Sequence, residues 1–240
     1  MSSIPSRATP RFLAAADAAV VVEFGDAVDE ALSARVLALE AAVRRRPPPG
    51  VVETVPTLRS LLVLYDALVT GHDELVTALR ELTSGPPEAP RGGGAEWTIP
   101  VVYGGDAGLD LEEVAAAAGL SRAAAVAEHT RALHRVAMLG HLPGLPYLTG
   151  LPAGLHAGRH PEPRVRVAAG SVAVAGGLTC IYPVAAPGGW RIIGRTPVRL
   201  FDPSADPPAA LAPGDRVRFV AVDAAAAEAL EGRPPERTEG

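Results

Sequence analysis

Cysteine is almost absent from this chain of 240 residues, which contains only Cys180. A single cysteine excludes an internal disulfide bond and a cysteine-based zinc site, and it fits the reducing cytoplasm. The first residues lack the charged start and the apolar core of a signal peptide. No stretch approaches the roughly 20 apolar residues that span a bilayer, so we expect a cytoplasmic protein without a membrane partner.

Positive charge is also in short supply. The chain has 22 Lys and Arg residues against 27 Asp and Glu residues, which gives a formal net charge of -5. Binding along a phosphate backbone needs a basic surface, so a nucleic acid is not an expected partner. Two short helices predicted between Asp110 and Arg131 could form a helix-turn-helix, but the second offers too few base-edge donors. We therefore favour a packing role for this pair.

Length and the distribution of proline and glycine indicate two domains. A chain of 240 residues exceeds the usual size of one domain, and 48% of it is hydrophobic. The stretch SGPPEAPRGGGA, from Ser84 to Ala95, is too rich in proline and glycine to form a core. We predict an N-terminal α+β domain over 11–84, a linker over 85–96, a mainly β barrel domain over 97–223 and a flexible tail over 224–240.

Alternating and helical spacings define the first domain. The predicted elements are strands over 18–24, 51–55 and 60–65 and helices over 27–45 and 73–82. Either Asp26 or Asp29 can cap the first of these helices. This order of elements predicts a helix layer on an antiparallel sheet.

Short strands broken by glycines dominate the second domain. The residues Asp110-Leu-Glu-Glu113 match a capping box and predict the start of a short helix. Ser121 is the expected cap of a second helix that runs to about Arg135. From Pro163 to Asp202, β-branched runs alternate with glycine turns, a pattern typical of a compact barrel or sandwich.

The histidines are concentrated in one region, and five of the six lie between His129 and His160. Their spacing matches no zinc motif such as H-E-x-x-H, so we expect no tightly bound metal. His129 stands out because other polar groups are sparse in its helical stretch. It could transfer protons or orient a ligand, or it could be a structural histidine near a helix end.

Arginines provide the other candidate binding groups. Arg164, Arg166, Arg195 and Arg199 have spacings that place each pair on one side of a strand. They could bind a carboxylate or a phosphate through two hydrogen bonds, or they could line a solvated face. The glycine-rich segment 169–177 lacks the G-K-[ST] ending of a phosphate-binding P-loop, so barrel turns explain it better.

Several longer motifs occur in the order that is typical of one protein family. They are VEFGDAVD at 22–29, GVVETVPTLRSLLVLYD at 50–66, IPVVYGGDAGLDLEEVA at 99–115, His129, LGHLPGLPYLTGLP at 139–152, AGSVAVAGG with TCIYP at 169–183 and PGGWRIIGRTPVRLFDP at 187–203. On these motifs the chain resembles the family of the 5-oxoprolinase B subunit, which is also called allophanate hydrolase subunit 1 or the Kip I family. The resemblance extends from about residue 20 to residue 222.

The resemblance implies a C-terminal barrel of the cyclophilin-like type and two partner proteins, the C and A subunits of the same enzyme. It further implies that the complex opens the ring of 5-oxo-L-proline to L-glutamate at the expense of ATP, with this chain inactive alone. Two alternative functions come with the same family. One is a regulatory protein that inhibits a sensor histidine kinase, as Kip I does, and the other is a diverged carboxyltransferase-type subunit of the allophanate and urea pathway.

Our first hypothesis follows the enzymatic reading, with the barrel holding a small lactam or amide at the interface with the C subunit. His129 orients or protonates the substrate, and Arg166 acts with it as a catalytic residue. Arg195, like Arg166, holds a carboxylate or phosphate, while Tyr147 and Thr179 supply hydroxyl contacts.

The chain differs from the family motifs at positions next to these candidates. His141 and Leu145 stand where the family motif G-F-x-P-G-F has phenylalanines. Leu178 and Cys180 replace the glutamine and third glycine of G-G-Q-T-G-I-Y-P, and leucine lacks the donor and acceptor of a glutamine amide. We expect His141 and Leu178 to contact the substrate together with the residues named above.

Overall fold

The computed structural model describes residues 9–84 and 94–238, and its contacts divide the chain into two compact units, 1–93 and 94–240. Each unit has a hydrophobic cluster of its own. The predicted linker over 85–96 lies outside the described residues except at its C-terminal end, where Glu96 begins a strand. The division between the units falls within that linker, and the finer domain bounds stay predictions.

The first unit combines a four-stranded antiparallel sheet with two helices. In chain order its elements are β1 (Arg11–Ala14), β2 (Ala19–Glu23), α1 (Glu30–Arg45), β3 (Val51–Pro56), β4 (Ser60–Tyr65) and α2 (His72–Thr83). The order of strands across the sheet is β1-β2-β4-β3. Strands β2 and β4 bury every second residue, which leaves one apolar face for α1 and α2 to cover.

Asp29 is the residue that starts α1. Its carboxylate accepts hydrogen bonds from the backbone N–H groups of Ala31 and Leu32 at 2.8 and 3.1 Å. These contacts satisfy donors that have no partner inside the helix. The first helix therefore begins at Glu30, three residues later than the sequence pattern predicts.

Besides two short 3-10 helices at Gly105–Ala107 and Ala153–Leu155, the second unit contains ten strands and three α-helices among its described residues 94–238. They are β5 (Glu96–Tyr103), α3 (Leu111–Ala117), α4 (Arg122–Arg131), β6 (His134–Leu139), β7 (Pro146–Thr149), β8 (Arg164–Val167), β9 (Ser171–Ala175), β10 (Leu178–Ile181), β11 (Ala186–Gly188), β12 (Arg191–Arg195), β13 (Arg216–Ala221), α5 (Ala224–Glu228) and β14 (Glu236–Arg237).

Seven of these strands form the barrel that the sequence predicts. Their order is β12-β9-β10-β7-β6-β13-β5, and β5 pairs again with β12 to close the ring. The pairing of β13 with β5 is parallel, and the other neighbours in the ring are antiparallel. Strand β14 adds to β5, while β8 and β11 form a separate two-stranded sheet.

Alternating apolar residues fill the inside of this barrel. Val172 and Val174 of β9 and Ile181 of β10 are completely buried in the main cluster, where they meet residues of β5 and β13. Gly176, in the turn between β9 and β10, has φ of +56°, a conformation that side chains with a Cβ rarely adopt. The glycines of this region therefore allow the tight turns between barrel strands.

Two local predictions in this unit were wrong. Asp110 does not cap α3 with its side chain, because its carboxylate is bound by residues from other parts of the chain. Helix α4 ends at Arg131 and not near Arg135, since His134 already lies in β6. The predicted tail over 224–240 contains the short helix α5 and the two-residue strand β14, and its flexibility stays a prediction.

Within residues 9–84 and 94–238, no helix is long and apolar enough to cross a membrane. The same residues contain no group of three or more His, Cys, Asp or Glu side chains that could hold a metal ion.

Candidate functional site

His129 lies inside the barrel, where α4 directs its ring between two hydroxyl groups. Its Nδ1 atom is 2.7 Å from the hydroxyl oxygen of Tyr103, and its Nε2 atom is 3.4 Å from the hydroxyl oxygen of Thr179. The ring centroid lies 4.6 Å from that of Phe219. The side chain is only 1% exposed, so His129 is closed off from solvent.

Burial keeps this histidine neutral. Because burial removes the ring from water and so disfavours its charged form, the pKa of His129 lies well below its ordinary value, and the charge of the neighbouring His134 lowers it further. A neutral imidazole has one N–H donor and one acceptor nitrogen, so it can bond to both hydroxyls at once. Burial also raises the pKa of the Tyr103 phenol. The three side chains form an uncharged bridge between β5, α4 and β10.

A cleft of about 410 Å³ opens elsewhere on the barrel unit. Its floor includes Tyr147 and Cys180, which are paired residues on β7 and β10. The Tyr147 ring packs edge to face against the Trp190 indole, with ring centroids 5.3 Å apart. The lining residues are His141, Leu145, Tyr147, Arg159, Pro163, Cys180, Tyr182, Pro187, Gly188, Gly189 and Trp190.

Two glycines make room for the tyrosines of the cleft. A Cβ atom at Gly188 would overlap the Tyr182 hydroxyl, and one at Gly140 would overlap the Tyr147 ring. The glycines of the motifs LGHLPG and PGGW therefore have a steric purpose, since larger residues at these positions would displace the rings.

The charge in the cleft is positive. Arg159 is exposed, and its guanidinium carbon lies 5.7 Å from the centre of the Trp190 ring. None of the described residues that line the cleft is acidic. Burial raises the pKa of Tyr182 to about 12, and it raises that of Tyr147 as well, so both phenols keep their protons and can donate.

Asp110 organises the loop that leads to the cleft. One carboxylate oxygen accepts hydrogen bonds from Arg164 at 2.7 Å and from His160 at 3.1 Å. The other accepts the backbone N–H of Ile192 at 2.7 Å. Although burial acts to raise the pKa of Asp110, these hydrogen bonds together with the charge of Arg164 lower it. The carboxylate thus stays ionised and ties β8, β12 and the loop before β8 together.

The structure separates the predicted site residues into three groups. His141 and Tyr147 line the cleft. His129 and Thr179 meet in the barrel interior, with Thr179 fully buried. The remaining three, Arg166, Leu178 and Arg195, lie outside the cleft lining.

Those three residues have different surroundings. Arg166 is exposed on β8, and Leu178 is buried on β10. Arg195 lines a different groove, of about 280 Å³, beside α5. Its Nε atom donates to the backbone carbonyl of Ala169 at 3.2 Å, and its terminal nitrogen is 3.9 Å from Glu231.

Arg159, Tyr182 and Trp190 are cleft residues that the sequence reasoning did not select. Tyr182 and Trp190 lie in the motifs TCIYP and PGGW, so those motifs are the signal that could have found them. Arg159 follows His156 and Gly158 in an irregular loop, and no spacing there indicates a site.

The chain matches a known domain family over most of its length. The model of the carboxyltransferase domain, subdomain C and D, matches residues 10–211. A relative in Bacillus subtilis (strain 168), named as the B subunit of 5-oxoprolinase, is 37% identical over an alignment of 221 residues that covers 86% of this chain and 90% of that protein. A relative of the same name in Escherichia coli O157:H7 is 42% identical over 205 residues, 85% of this chain and 92% of that protein.

Solved structures share the fold of this chain. The crystal structure of TTHA0988 in space group P212121 is 41% identical with a TM-score of 0.75 and covers 85% of this chain, which spans 40% of that protein's length. The urea amidolyase of K. lactis is 20% identical with a TM-score of 0.78, over 99% of this chain and 17% of that chain. At this identity the second likeness shows the fold alone.

Proposed function

Because the chain belongs to the family of the 5-oxoprolinase B subunit, we propose that it is one component of an ATP-dependent hydrolase that opens the ring of 5-oxo-L-proline to give L-glutamate. The observation that carries this proposal is the 37% identity over 221 residues to the Bacillus subtilis protein of that name, nine-tenths of whose length is matched. Agreement over nearly the whole relative leaves no large part of that protein unmatched.

The name of the relatives supports the proposed partners. A protein named as the second of several subunits belongs to an assembly, and we propose that this chain acts with the C and A subunits of the enzyme in the cytoplasm. ATP is then a co-substrate of the assembled enzyme. The finer description of the fold, an α+β domain followed by a cyclophilin-like barrel, belongs to the same proposal.

The 410 Å³ cleft is the proposed substrate site. Ring opening breaks the lactam C–N bond and adds the elements of water, and negative charge grows on the lactam oxygen as the carbonyl is attacked. The protonated hydroxyls of Tyr147 and Tyr182 are donors that can stabilise this charge. His141, at the edge of the same cleft, is positioned to contact the substrate.

His129 has a different role in this proposal. Its ring holds Thr179 of β10 from inside the barrel, while the neighbouring Cys180 faces the cleft. We therefore assign His129 and Thr179 to positioning the strand that forms the floor of the cleft. Substrate contacts by Arg166, Leu178 or Arg195 stay predictions, because none of these side chains lines the cleft.

The test is reconstitution with candidate C and A subunits, followed by measurement of ADP and L-glutamate release. We expect both products to depend on 5-oxo-L-proline and on all three proteins. Tyr147→Phe should lower kcat/KM by roughly 100-fold, since the loss of one donor to a developing oxyanion has an effect of this order.

Tyr65→Phe is the matched control, because its hydroxyl donates to the Asp17 carbonyl in the first unit and Tyr65 is not among the described residues that line the cleft. It should leave kcat/KM unchanged. An assembly that releases no ADP in response to 5-oxo-L-proline, together with a chain that inhibits a sensor histidine kinase, would replace this proposal with the regulatory alternative.

A further inference from the structure

We propose that Arg159 binds the carboxylate of the substrate, above the Trp190 indole, and so selects lactams that carry an acid group. This inference rests on the proposed function, because it names the group that holds one end of the same substrate. It transfers to Arg159 a task that sequence reasoning gave to Arg166 and Arg195.

No described residue neutralises the charge of Arg159. No hydrogen bond or ion pair joins its guanidinium to another residue in 9–84 or 94–238, and its contact is with the Trp190 ring. Nearby arginines differ, since Arg164 bonds to Asp110 at 2.7 Å and Arg191 bonds to Glu113 at 2.6 Å. Among these three, Arg159 is the arginine left to meet an external anion.

The backbone on both sides of Arg159 is anchored. The carbonyl of Gly158 accepts a hydrogen bond from the Nε atom of Arg191 at 3.2 Å. On the other side, the N–H of His160 donates to the Gly189 carbonyl at 2.7 Å, and the His160 ring bonds to Asp110. A long cation on a fixed backbone loses less freedom when it binds a ligand, which favours affinity.

The cleft offers a surface for both ends of a small lactam acid. Trp190, Leu145 and the prolines provide apolar area for a five-membered ring, and the two tyrosines provide donors for its amide oxygen. A guanidinium can bind a carboxylate through two parallel hydrogen bonds. Since no acidic side chain competes among the described lining residues, the carboxylate end has a clear preference for Arg159.

Arg195 is less suited to this task. Its Nε atom is already used by the Ala169 carbonyl, and its terminal nitrogen faces Glu231 in the other groove. Arg166 is also less suited, because it is exposed on β8 and does not line the cleft.

The experiment compares two ligands that differ in the carboxylate. 5-Oxo-L-proline and 2-pyrrolidinone, the same lactam without its acid group, are titrated into the full chain and into its complex with the C and A subunits. Tryptophan emission reports binding, because Trp190 contacts Arg159. We expect Arg159→Met to raise the Kd of the acid roughly 10- to 100-fold and to leave that of 2-pyrrolidinone within about twofold.

Arg237→Met is the matched control. Its guanidinium carbon also lies 5.7 Å from an indole centre, that of Trp97, but outside the cleft. This variant should keep the preference of the wild type for the acid. Arg159→Lys keeps the charge without the planar fork and should fall between the wild type and Arg159→Met.

The outcomes separate the inference from the function on which it rests. An equal loss of affinity for both ligands, an unchanged preference in Arg159→Met, or no binding of the acid by chain or complex would overturn the role of Arg159. If the reconstituted enzyme turns over 5-oxo-L-proline and Arg159→Met does not change the preference, the inference alone is wrong. If Arg159-dependent binding occurs without turnover, the proposed reaction is wrong and the carboxylate site stands.

Discussion

At the scale of single residues, the imidazole of His129 connects α4 with strands β5 and β10. His129 bonds to the hydroxyls of Tyr103 and Thr179, and it packs against His134 and Phe219. A charged ring in this position would lose its hydration without gaining a carboxylate partner. The interior therefore tolerates His129 only in its neutral form, and this restriction has a measurable effect on stability.

We predict that the barrel loses stability as pH falls below about 6.5. Burial lowers the pKa of both His129 and His134, so the unfolded chain takes up protons in this range while the folded chain does not. Each histidine can contribute a loss of up to about 1.4 kcal/mol per pH unit below the ordinary histidine pKa. Urea unfolding at pH 7.5, 6.5 and 5.5 measures this trend through tryptophan emission.

The substitution His129→Phe tests whether His129 causes this loss of stability at low pH. It should lower the unfolding free energy by about 2 kcal/mol at pH 7.5, because two buried hydroxyls lose their partner. It should also make the decline between pH 6.5 and 5.5 shallower, since one histidine no longer titrates. A decline as steep as that of the wild type would show that His129 is not its source.

A second prediction at this scale concerns adjacent glycines with different neighbours. Gly188→Ala should displace the Tyr182 hydroxyl and weaken binding of 5-oxo-L-proline, because a new Cβ would occupy its position. At Gly189 the nearest heavy atom to a Cβ is 3.6 Å away, an ordinary contact, so Gly189→Ala should bind nearly as the wild type does. Equal affinities of the two variants in a calorimetric titration would contradict this account of the cleft.

At the scale of elements, the last described segments complete the barrel unit. The backbone N–H of Gly232 donates to Pro197 at 3.0 Å, that of Arg199 donates to Arg233 at 2.8 Å, and that of Thr238 donates to Glu96 at 2.7 Å. Strand β14 lies against the N-terminal part of β5, a strand edge that β12 leaves uncovered. These contacts join the segment to the body of the unit.

Removal of this segment should therefore destabilise the barrel. A chain that ends at Val222 loses these three hydrogen bonds, and at about 1 kcal/mol each the loss is about 3 kcal/mol. A chain that ends at Thr238 keeps them and serves as the control. The midpoint of urea unfolding, followed by the emission of Trp97 beneath Arg237, should fall only in the shorter chain. Equal midpoints would contradict the structural role of the segment.

At the scale of the whole molecule, the predictable features were those that depend on local spacing. The strands of the first unit follow from alternation in segments such as Ser60–Tyr65, and the barrel follows from strands separated by glycine turns. Asp110 shows where local reasoning stops. Its spacing to Glu113 fits a helix cap, yet its carboxylate binds Arg164, His160 and the backbone of β12, which are brought near only by the closed barrel.

In the candidate site, too, some residues can be predicted from local sequence motifs, and others are brought together only by the fold. Motifs marked Tyr147 and His141, and the structure places both at the cleft. Arg159 lies in a loop whose residues have no regular spacing. Its position over Trp190 depends on hydrogen bonds from the neighbouring loop residues to Arg191 of β12 and to Asp110. The spacing of residues along the sequence cannot predict a contact between segments that are far apart in the chain.

The parallel pairing of β5 with β13 also determines when the barrel can form during synthesis. Strand β5 is the first to leave the ribosome among the seven, and its parallel partner Arg216–Ala221 is the last. Until that partner emerges, β5 and β6 each present an unpaired edge, and such edges promote aggregation. The barrel strands therefore remain an open sheet until β13 has been synthesised, and ring closure is a late, long-range event.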